Sequence, residues 1–296
     1  MSSRPSWLAG AALAVGVICI AWSAIFVRWA VGVTAPASAF YRVLIASVVL
    51  LPVWIIRRPR APSKRALALA ALAGLFFAFD LACYNTSILE TSAAIATLVG
   101  NVAPFCVGIA TWLLFGQRPR RAFWTGLAIA FVGVTIIIGS DLRAHPTLGV
   151  GDLLGVAAGM WFAAYLMATH RARAEMDTLS LTTLSIVASA VVLFGICLLF
   201  RSPLTGYQPK AWAALLGLGL ISQVTGYLAL TYALGSVPAT VSSVVLLLQA
   251  PLTGLMAVPL LGETPSRSQI AGAVLVLAGV YVVVRRDPGA SEAVTP

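Results

Sequence analysis

Ten apolar runs, each about as long as a helix that crosses a lipid bilayer, occupy nearly the whole chain. A helix needs about 20 mostly apolar residues to cross the hydrocarbon core, and backbone groups in lipid must pair within the spanning structure. The runs therefore predict transmembrane helices, because a porin-like barrel would need alternating segments of about 10 residues. The predicted spans are 7–33, 36–56, 66–88, 92–115, 122–139, 149–169, 179–200, 211–234, 238–261 and 268–284.

Composition supports an all-α integral membrane protein. Of the 296 residues, 60% are hydrophobic and only 9% are charged, whereas soluble domains carry about 25% charged residues. A soluble enzyme, a secreted disulfide scaffold and a disordered chain are thereby excluded. The net charge of +10 does not indicate nucleic acid, because the basic residues form short clusters between the apolar runs. We expect the protein to lie in a lipid bilayer, without a nucleic-acid partner. The sequence is compatible with a monomer or a homodimer.

The distribution of Lys and Arg predicts the orientation. If the N-terminus is cytoplasmic, the inner loops and tails hold thirteen of these residues and the outer loops hold four. Positive charges accumulate on the cytoplasmic side of membrane proteins. We therefore expect a multi-pass protein of the inner membrane with both termini in the cytoplasm.

The two halves of the chain repeat one another, and this repeat predicts two domains. The shared motifs are Ala103-Pro104, Gly116-x-x-Pro119, Gly126 and Gly133 in the first half, and Ala250-Pro251, Gly262-x-x-Pro265, Gly272 and Gly279 in the second. Each half holds five spans, and an odd number of spans inverts the second half relative to the first. Inverted repeats are typical of secondary transporters, which bind substrate where the repeats meet. The predicted repeats are 1–145 and 146–296, the second ending in a short cytoplasmic tail, and the four glycines are predicted helix-packing positions.

These motifs give the chain a family resemblance over about residues 8–285. The matching positions are the Trp22 region, Phe40-Tyr41-Arg42, Ala103-Pro104 with Gly116-x-x-Pro119, and Ala250-Pro251 with Gly262-Glu263. The sequence resembles the drug/metabolite transporter superfamily with two EamA-type repeats, and within it the bacterial YddG-type exporters of aromatic amino acids. The resemblance implies ten helices around a central cavity and export by alternating access. Gln117 stands where the family usually has glutamate, so we assign no transport role to that position.

Two prolines near the middle of predicted spans mark the first candidate binding residues. Pro104 and Pro251 are predicted to kink their helices and to free the carbonyl four residues earlier. Asn101 and Gln249 lie beside them, and their amides could bind an ammonium or a carboxylate group. Alternatively, each amide only satisfies its own kink or bridges two helices.

Aromatic and polar residues at helical spacing supply the remaining candidates. Trp161 and Tyr165 are four residues apart and share a helix face, as do Asp80 and Tyr84. Rings with polar tips could stack on aromatic substrates, although packing residues and interfacial belts have the same composition. The predicted substrate-binding residues are Asn101, Gln249, Trp161, Tyr165, Tyr84, Trp22, Gln223, Tyr227 and Asp80.

Two charges lie at similar depth within neighbouring predicted spans. Arg42 lies about 9 Å from the outer start of its span at 1.5 Å per residue, and Asp80 enters the next span from the opposite side. Because an unpaired charge in lipid is costly, we expect an ion pair between Arg42 and Asp80. The alternative is that Asp80 serves the binding site, and it is also the one candidate for proton coupling.

The sequence favours an inner-membrane exporter of small metabolites, with amino acids, including apolar and aromatic ones, as the first choice of substrate. A multidrug or cationic-compound exporter is the alternative, although an acidic cavity would then be expected and only Asp80 is available. We expect no enzyme, metal or cofactor, because no nucleophile–base set, ligand cluster or phosphate loop is present. A lipid-processing enzyme would need such a set, and a non-transporting scaffold would leave Asn101 and Gln249 without a role. The direction of transport follows from the resemblance alone.

Overall fold

All regular secondary structure in the part of the chain that the structure describes is helical. The structure is a computed structural model that describes residues 6–57, 62–90, 100–144, 149–261 and 266–286. In chain order the helices are α1 (Ser6–Trp29), α2 (Ala35–Arg57), α3 (Lys64–Glu90), α4 (Ala103–Phe115), α5 (Arg121–Ala144), α6 (Val150–Ala172), α7 (Thr178–Leu199), α8 (Pro209–Ala233), α9 (239–261) and α10 (Arg267–Arg286). Eight of these are long and apolar enough to cross a membrane, and shorter apolar helices cover Ala103–Leu114 and Arg121–Ile137. The predicted all-helical membrane fold is confirmed.

Among the described residues, two of the spans contain stretches that are not α-helical. In α8, a π-helix over Leu218–Gly226 lies between α-helical Pro209–Gly217 and Tyr227–Ala233. The Thr225 hydroxyl donates to the Leu220 carbonyl at 3.2 Å, five residues back. In α9, a 3₁₀ turn over Leu246–Leu248 separates Ala239–Val245 from Gln249–Leu261. Such interruptions are frequent at functional sites, and hydropathy gave no indication of them.

Pro104 does not kink a continuous helix as predicted. The chain turns at Asn101 and Val102, and α4 begins at Ala103, with Pro104 in its first turn. A proline is well tolerated there because the first backbone N–H groups of a helix have no partner within that helix. The first part of predicted span four, residues 92–99, lies outside the described residues.

The helices pack mainly across the two halves of the chain. α3 packs along α6 and α7, while α8 packs along α1 and α2. In the same way, α4 contacts α6 and α9 contacts α1. Helix α5 packs along α10, and α2 packs along α7. Each of these contacts is therefore reproduced when both of its helices are replaced by the helices five places away in the chain.

The four repeated glycines form the α5–α10 contact. A Cβ atom built on Gly126 would lie 2.6 Å from the carbonyl oxygen of Gly279, and one built on Gly133 would lie 2.6 Å from that of Gly272. Both distances are shorter than real Cβ contacts, so only glycine fits. The predicted packing role of these glycines is confirmed.

Candidate functional site

The side chain of Arg42 is buried between helices of both halves of the chain. Helix α2 places Arg42 in a position that is only 8% exposed. Its Nε donates to the Oε1 atom of Gln223, at a distance of 2.6 Å. Gln223 belongs to the π-helical stretch of α8 and is fully buried. A guanidinium buried to this degree needs several compensating partners.

Two aromatic rings lie close to the guanidinium, and a third ring packs against one of them. The Arg42 Cζ atom lies 5.3 Å from the ring centre of Tyr227 on α8 and 6.0 Å from that of Phe77 on α3. The ring of Phe77 also contacts Tyr165 on α6, with centroids 4.9 Å apart. Cation–π attraction stabilises a buried guanidinium in such a setting. We call Arg42, Phe77, Tyr165, Gln223 and Tyr227 the Arg42 cluster.

Asp80 lies near the Arg42 cluster but does not pair with Arg42 by contact. It follows Phe77 by one turn of α3, and part of its surface remains accessible. The charges of Asp80 and Arg42 act on each other. Within the described residues, however, no ion pair joins Asp80 to Arg42, contrary to the expectation. The neighbours of the Arg42 guanidinium are instead Gln223 and the rings of Phe77 and Tyr227, which the rotation of α3 and α8 brings closer than the Asp80 carboxylate.

Trp161 extends the aromatic surface along α3 and α6. Its ring stacks on Phe76 with centroids 5.7 Å apart and lies 5.2 Å from Phe79. Trp161 precedes Tyr165 by four residues, so the two rings lie on one face of α6. Together with the rings of the Arg42 cluster, these rings form a group of aromatic side chains along α3 and α6, next to the buried Arg42.

The two predicted amide residues lie beside interrupted helices. Asn101 is in the turn before α4, and its Nδ2 atom is buried without a hydrogen-bond partner among the described residues. The Gly100 carbonyl does not face an open site, because a Cβ atom built on Gly159 of α6 would lie 2.6 Å from that oxygen. Gln249 is half-buried and follows the 3₁₀ turn of α9.

Not every predicted residue joins the Arg42 cluster. Tyr84 lies beside the turn before α4, with ring atoms 3.7 Å from a Cβ atom built on Gly100. Trp22 stacks on Phe26 of its own helix, with centroids 5.5 Å apart. Phe77 was not among the predicted binding residues, although its ring contacts both Tyr165 and Tyr227. The sequence feature that could have indicated Phe77 is its position one helical turn before Asp80.

A cavity of about 350 Å³ lies between the two halves, at the end of the bundle where α3 and α9 begin. The Nε atom of Arg65 and the Oε1 atom of Glu175 form an ion pair across 3.1 Å at this end. The Arg173 side chain donates to the Thr231 carbonyl at 3.0 Å and so connects the end of α6 to α8. The cavity is lined by Arg65, Thr111, Gln117, Met167, His170, Arg171, Ala174, Glu175, Pro238, Ala239 and Thr240. This cavity lies toward one end of the bundle, whereas the sequence predicted a central cavity.

Comparison with known proteins identifies the same two halves. The model of the EamA-like transporter family matches residues 7–139 and again residues 149–285. Uncharacterized transporter YwfM of Bacillus subtilis is 28% identical over 251 residues, 83% of each chain. A probable terminal-alkyne amino-acid exporter of Streptantibioticus cattleyicolor is 27% identical over 297 residues, 98% of each chain. A solved crystal structure superimposes with a TM-score of 0.78, covering 95% of this chain and 98% of its own, at 18% identity, and this likeness concerns the fold alone.

Proposed function

This chain belongs to the EamA-like transporter family, and from that premise we propose that it exports amino acids, including aromatic and apolar ones, by alternating access. It is a membrane transporter that spans the bilayer several times. The amino-acid class is supported by one relative, the probable terminal-alkyne amino-acid exporter. It is supported independently by the chemistry of the Arg42 cluster.

The observation that carries the proposal is a buried guanidinium within an aromatic cluster built by both halves. Arg42 and Phe77 come from the first matched segment, and Tyr165, Gln223 and Tyr227 come from the second. A site shared between the halves changes its access when one half rocks against the other. An aromatic amino acid requires two recognition elements. The charged Arg42 can bind its polar groups, and the aromatic rings can contact its side chain.

The contact pattern supports inverted repeats over 1–145 and 146–296. Exchange of each helix with the helix five places away maps the α3–α6 contact onto α8–α1 and leaves the α5–α10 contact unchanged. A pseudo-twofold axis between the halves produces this exchange. With five helices in each half the axis lies in the membrane plane, and the charge bias places both termini in the cytoplasm of the inner membrane. The cavity near Arg65 then opens toward the cytoplasm.

Export of cationic organic compounds is the weaker reading of the same site. A cation in the Arg42 cluster would meet the buried guanidinium, and Asp80 is the one acidic side chain near it in the described residues. Like charges within a region of low dielectric repel each other strongly. The site therefore favours substrates that carry a negative group.

Flux measurements in proteoliposomes test the proposal. The purified protein is reconstituted, and the uptake of labelled amino acids is followed with and without a proton gradient. We expect saturable flux of aromatic amino acids that Trp161→Ala and Asn101→Ala weaken. The matched control is Trp112→Ala, because Trp112 is 46% exposed on the outer surface of the bundle. Absence of flux for every amino acid, from protein shown to be folded, would contradict the proposal.

A further inference from the structure

Two buried hydrogen-bond donors at the centre of the Arg42 cluster have no acceptor. The Nη2 atom of Arg42 and the Nε2 atom of Gln223 are both inaccessible, and neither has a hydrogen-bond partner among the described residues. Arg42 is 8% exposed and Gln223 is fully buried. Leaving such donors unsatisfied is unfavourable, and more so for a charged group. They come from the two halves of the protein, so the unsatisfied pair lies at the interface on which transport depends.

The orientation of the Gln223 amide is fixed by chemistry. A guanidinium has only donors, so the atom of Gln223 that lies 2.6 Å from Arg42 Nε has to be the carbonyl oxygen. The amide nitrogen consequently points away from Nε and remains a donor. Nη2 and Nε of Arg42 share one edge of the guanidinium. On this edge the Nε–H group donates to Gln223, while the Nη2–H group has no acceptor among the described residues and lies next to the Gln223 amide N–H, which also has none.

We infer that Arg42 and Gln223 form the carboxylate-binding pair of the transporter, so that the substrate must carry a carboxylate group. This inference rests on the proposed function and names the group recognised by the same site. One carboxylate oxygen accepts from Arg42 Nη2 and the other accepts from Gln223 Nε2. A carboxylate is acceptor-only and charge-assisted hydrogen bonds to it are strong. Cation–π contacts with the rings of Phe77 and Tyr227 help to hold the guanidinium in place.

A carboxylate fits this pair better than other anions do. The site offers two open donors and one full positive charge, which match two oxygens and one negative charge. A phosphate dianion would bring further acceptor oxygens into the surrounding apolar rings, where they would stay unpaired at a cost. Asp80 remains partly accessible nearby, so the ammonium group of an amino acid can be directed toward it while the side chain lies against the rings.

Three related compounds test the requirement for a carboxylate. Phenylalanine carries both charged groups, 3-phenylpropionate lacks the ammonium and phenethylamine lacks the carboxylate. Binding to the purified full-length protein is measured by calorimetry and by ligand-dependent thermal stabilisation. We expect phenylalanine and 3-phenylpropionate to bind and phenethylamine to bind at least about tenfold more weakly, as expected for loss of hydrogen bonds to a charged group. Equal binding of phenethylamine and phenylalanine would overturn the inference.

Substitution of the pair tests which residues hold the carboxylate. In Gln223→Glu, the new carboxylate pairs with Arg42 and takes the place of the ligand group. We expect thermal stability to be retained and phenylalanine affinity to fall about ten- to a hundredfold. Arg42→Lys keeps the charge but loses the planar donor edge, and we expect a similar loss. Ser189→Ala, which removes a buried hydroxyl between α3 and α7, is the control that leaves affinity unchanged.

The outcomes separate this inference from the proposed function. If amino acids are transported but Gln223→Glu binds phenylalanine as the wild type does, the carboxylate pair is wrong and the transport proposal stands. If 3-phenylpropionate binds and Gln223→Glu abolishes this binding while no amino acid is transported, the pair stands and the amino-acid proposal fails. If Gln223→Glu does not fold, Arg42→Lys and the three-compound comparison decide alone.

Discussion

The close contact between α5 and α10 makes Gly279→Ala a strong test of the fold. A Cβ atom built on Gly279 would lie 2.4 Å from the Gly126 carbonyl oxygen and 2.5 Å from the Ala130 backbone nitrogen. Both are backbone atoms, so no side-chain rotation relieves the overlap. To restore a contact of 3.4 Å, the lower limit of ordinary van der Waals distance, the two helices must separate by about 1 Å at this point, the difference between the two quoted distances.

The expected cost follows from two opposing effects. Overpacking of a well-packed interface costs about 1–3 kcal/mol, while alanine is better than glycine in a helix by about 1 kcal/mol or less. Because separation at Gly279 also loosens the Gly133–Gly272 contact of the same helices, we expect a net loss of about 1–2 kcal/mol. For a domain of this size this corresponds to a decrease in Tm of about 2–8 °C.

The assay is thermal unfolding of the purified protein in detergent. The measured quantity is the fraction of protein that remains monodisperse after heating to each temperature. The matched control is Gly195→Ala on α7, because a Cβ atom there would meet nothing within 4 Å. We expect Gly195→Ala to leave Tm unchanged or raise it slightly. The double variant Gly133→Ala/Gly279→Ala should lose less than the sum of the two single losses, since both act on one interface. A Tm of Gly279→Ala at or above that of the wild type would refute the α5–α10 packing.

Three further predictions concern single side chains. Burial alone would raise the pKa of Asp177, but hydrogen bonds from Ser180 outweigh this effect and lower the pKa. The ionised Asp177 therefore stabilises the folded protein fully above the pKa of about 4 that an aspartate has in the unfolded chain. This stabilisation is lost as the pH falls through the lower pKa of the folded state. Asp177→Ala should be about 1 kcal/mol less stable at neutral pH and approach the wild type in acid, and a pH-independent gap in unfolding curves would contradict this. Ser189→Ala removes hydrogen bonds to the carbonyls of Gly74 at 2.7 Å and Ser185 at 2.9 Å, so denaturation should show a loss of about 1 kcal/mol, whereas an unchanged midpoint would argue against the α3–α7 contact. Asp80→Asn should weaken phenylalanine binding about tenfold and leave 3-phenylpropionate binding intact, and equal losses for both compounds would remove the ammonium role of Asp80.

The candidate site was predictable in most of its residues but not in its contacts. Tyr165, Gln223 and Tyr227 were predicted as binding residues and Arg42 as a charge within a span, because polar groups and rings within apolar spans are unusual, whereas Phe77 was not among the predicted binding residues. The partner of Arg42 was expected to be Asp80, whereas the structure places Gln223 there. Charge and approximate depth are visible in a sequence, but the rotation of one helix against another decides which groups touch.

The amino-acid sequence by itself determined that the chain is a helical membrane protein in two related halves. The bilayer fixes the length and composition of a spanning segment, so each span can be predicted from its own residues without knowledge of its neighbours. The packing role of the glycine pairs of α5 and α10 was likewise predictable from the sequence, because close helix contacts in membranes require small residues.

Only the tertiary structure decided the π-helical stretch Leu218–Gly226, the start of α4 at Ala103 and the composition of the Arg42 cluster. In a soluble protein, the apolar face of a helix shows which side is buried. In a bilayer, lipid-facing and protein-facing sides are both apolar, so hydropathy carries no information about helix rotation. The Arg42 cluster depends on that rotation, and it is therefore a property of the packed bundle.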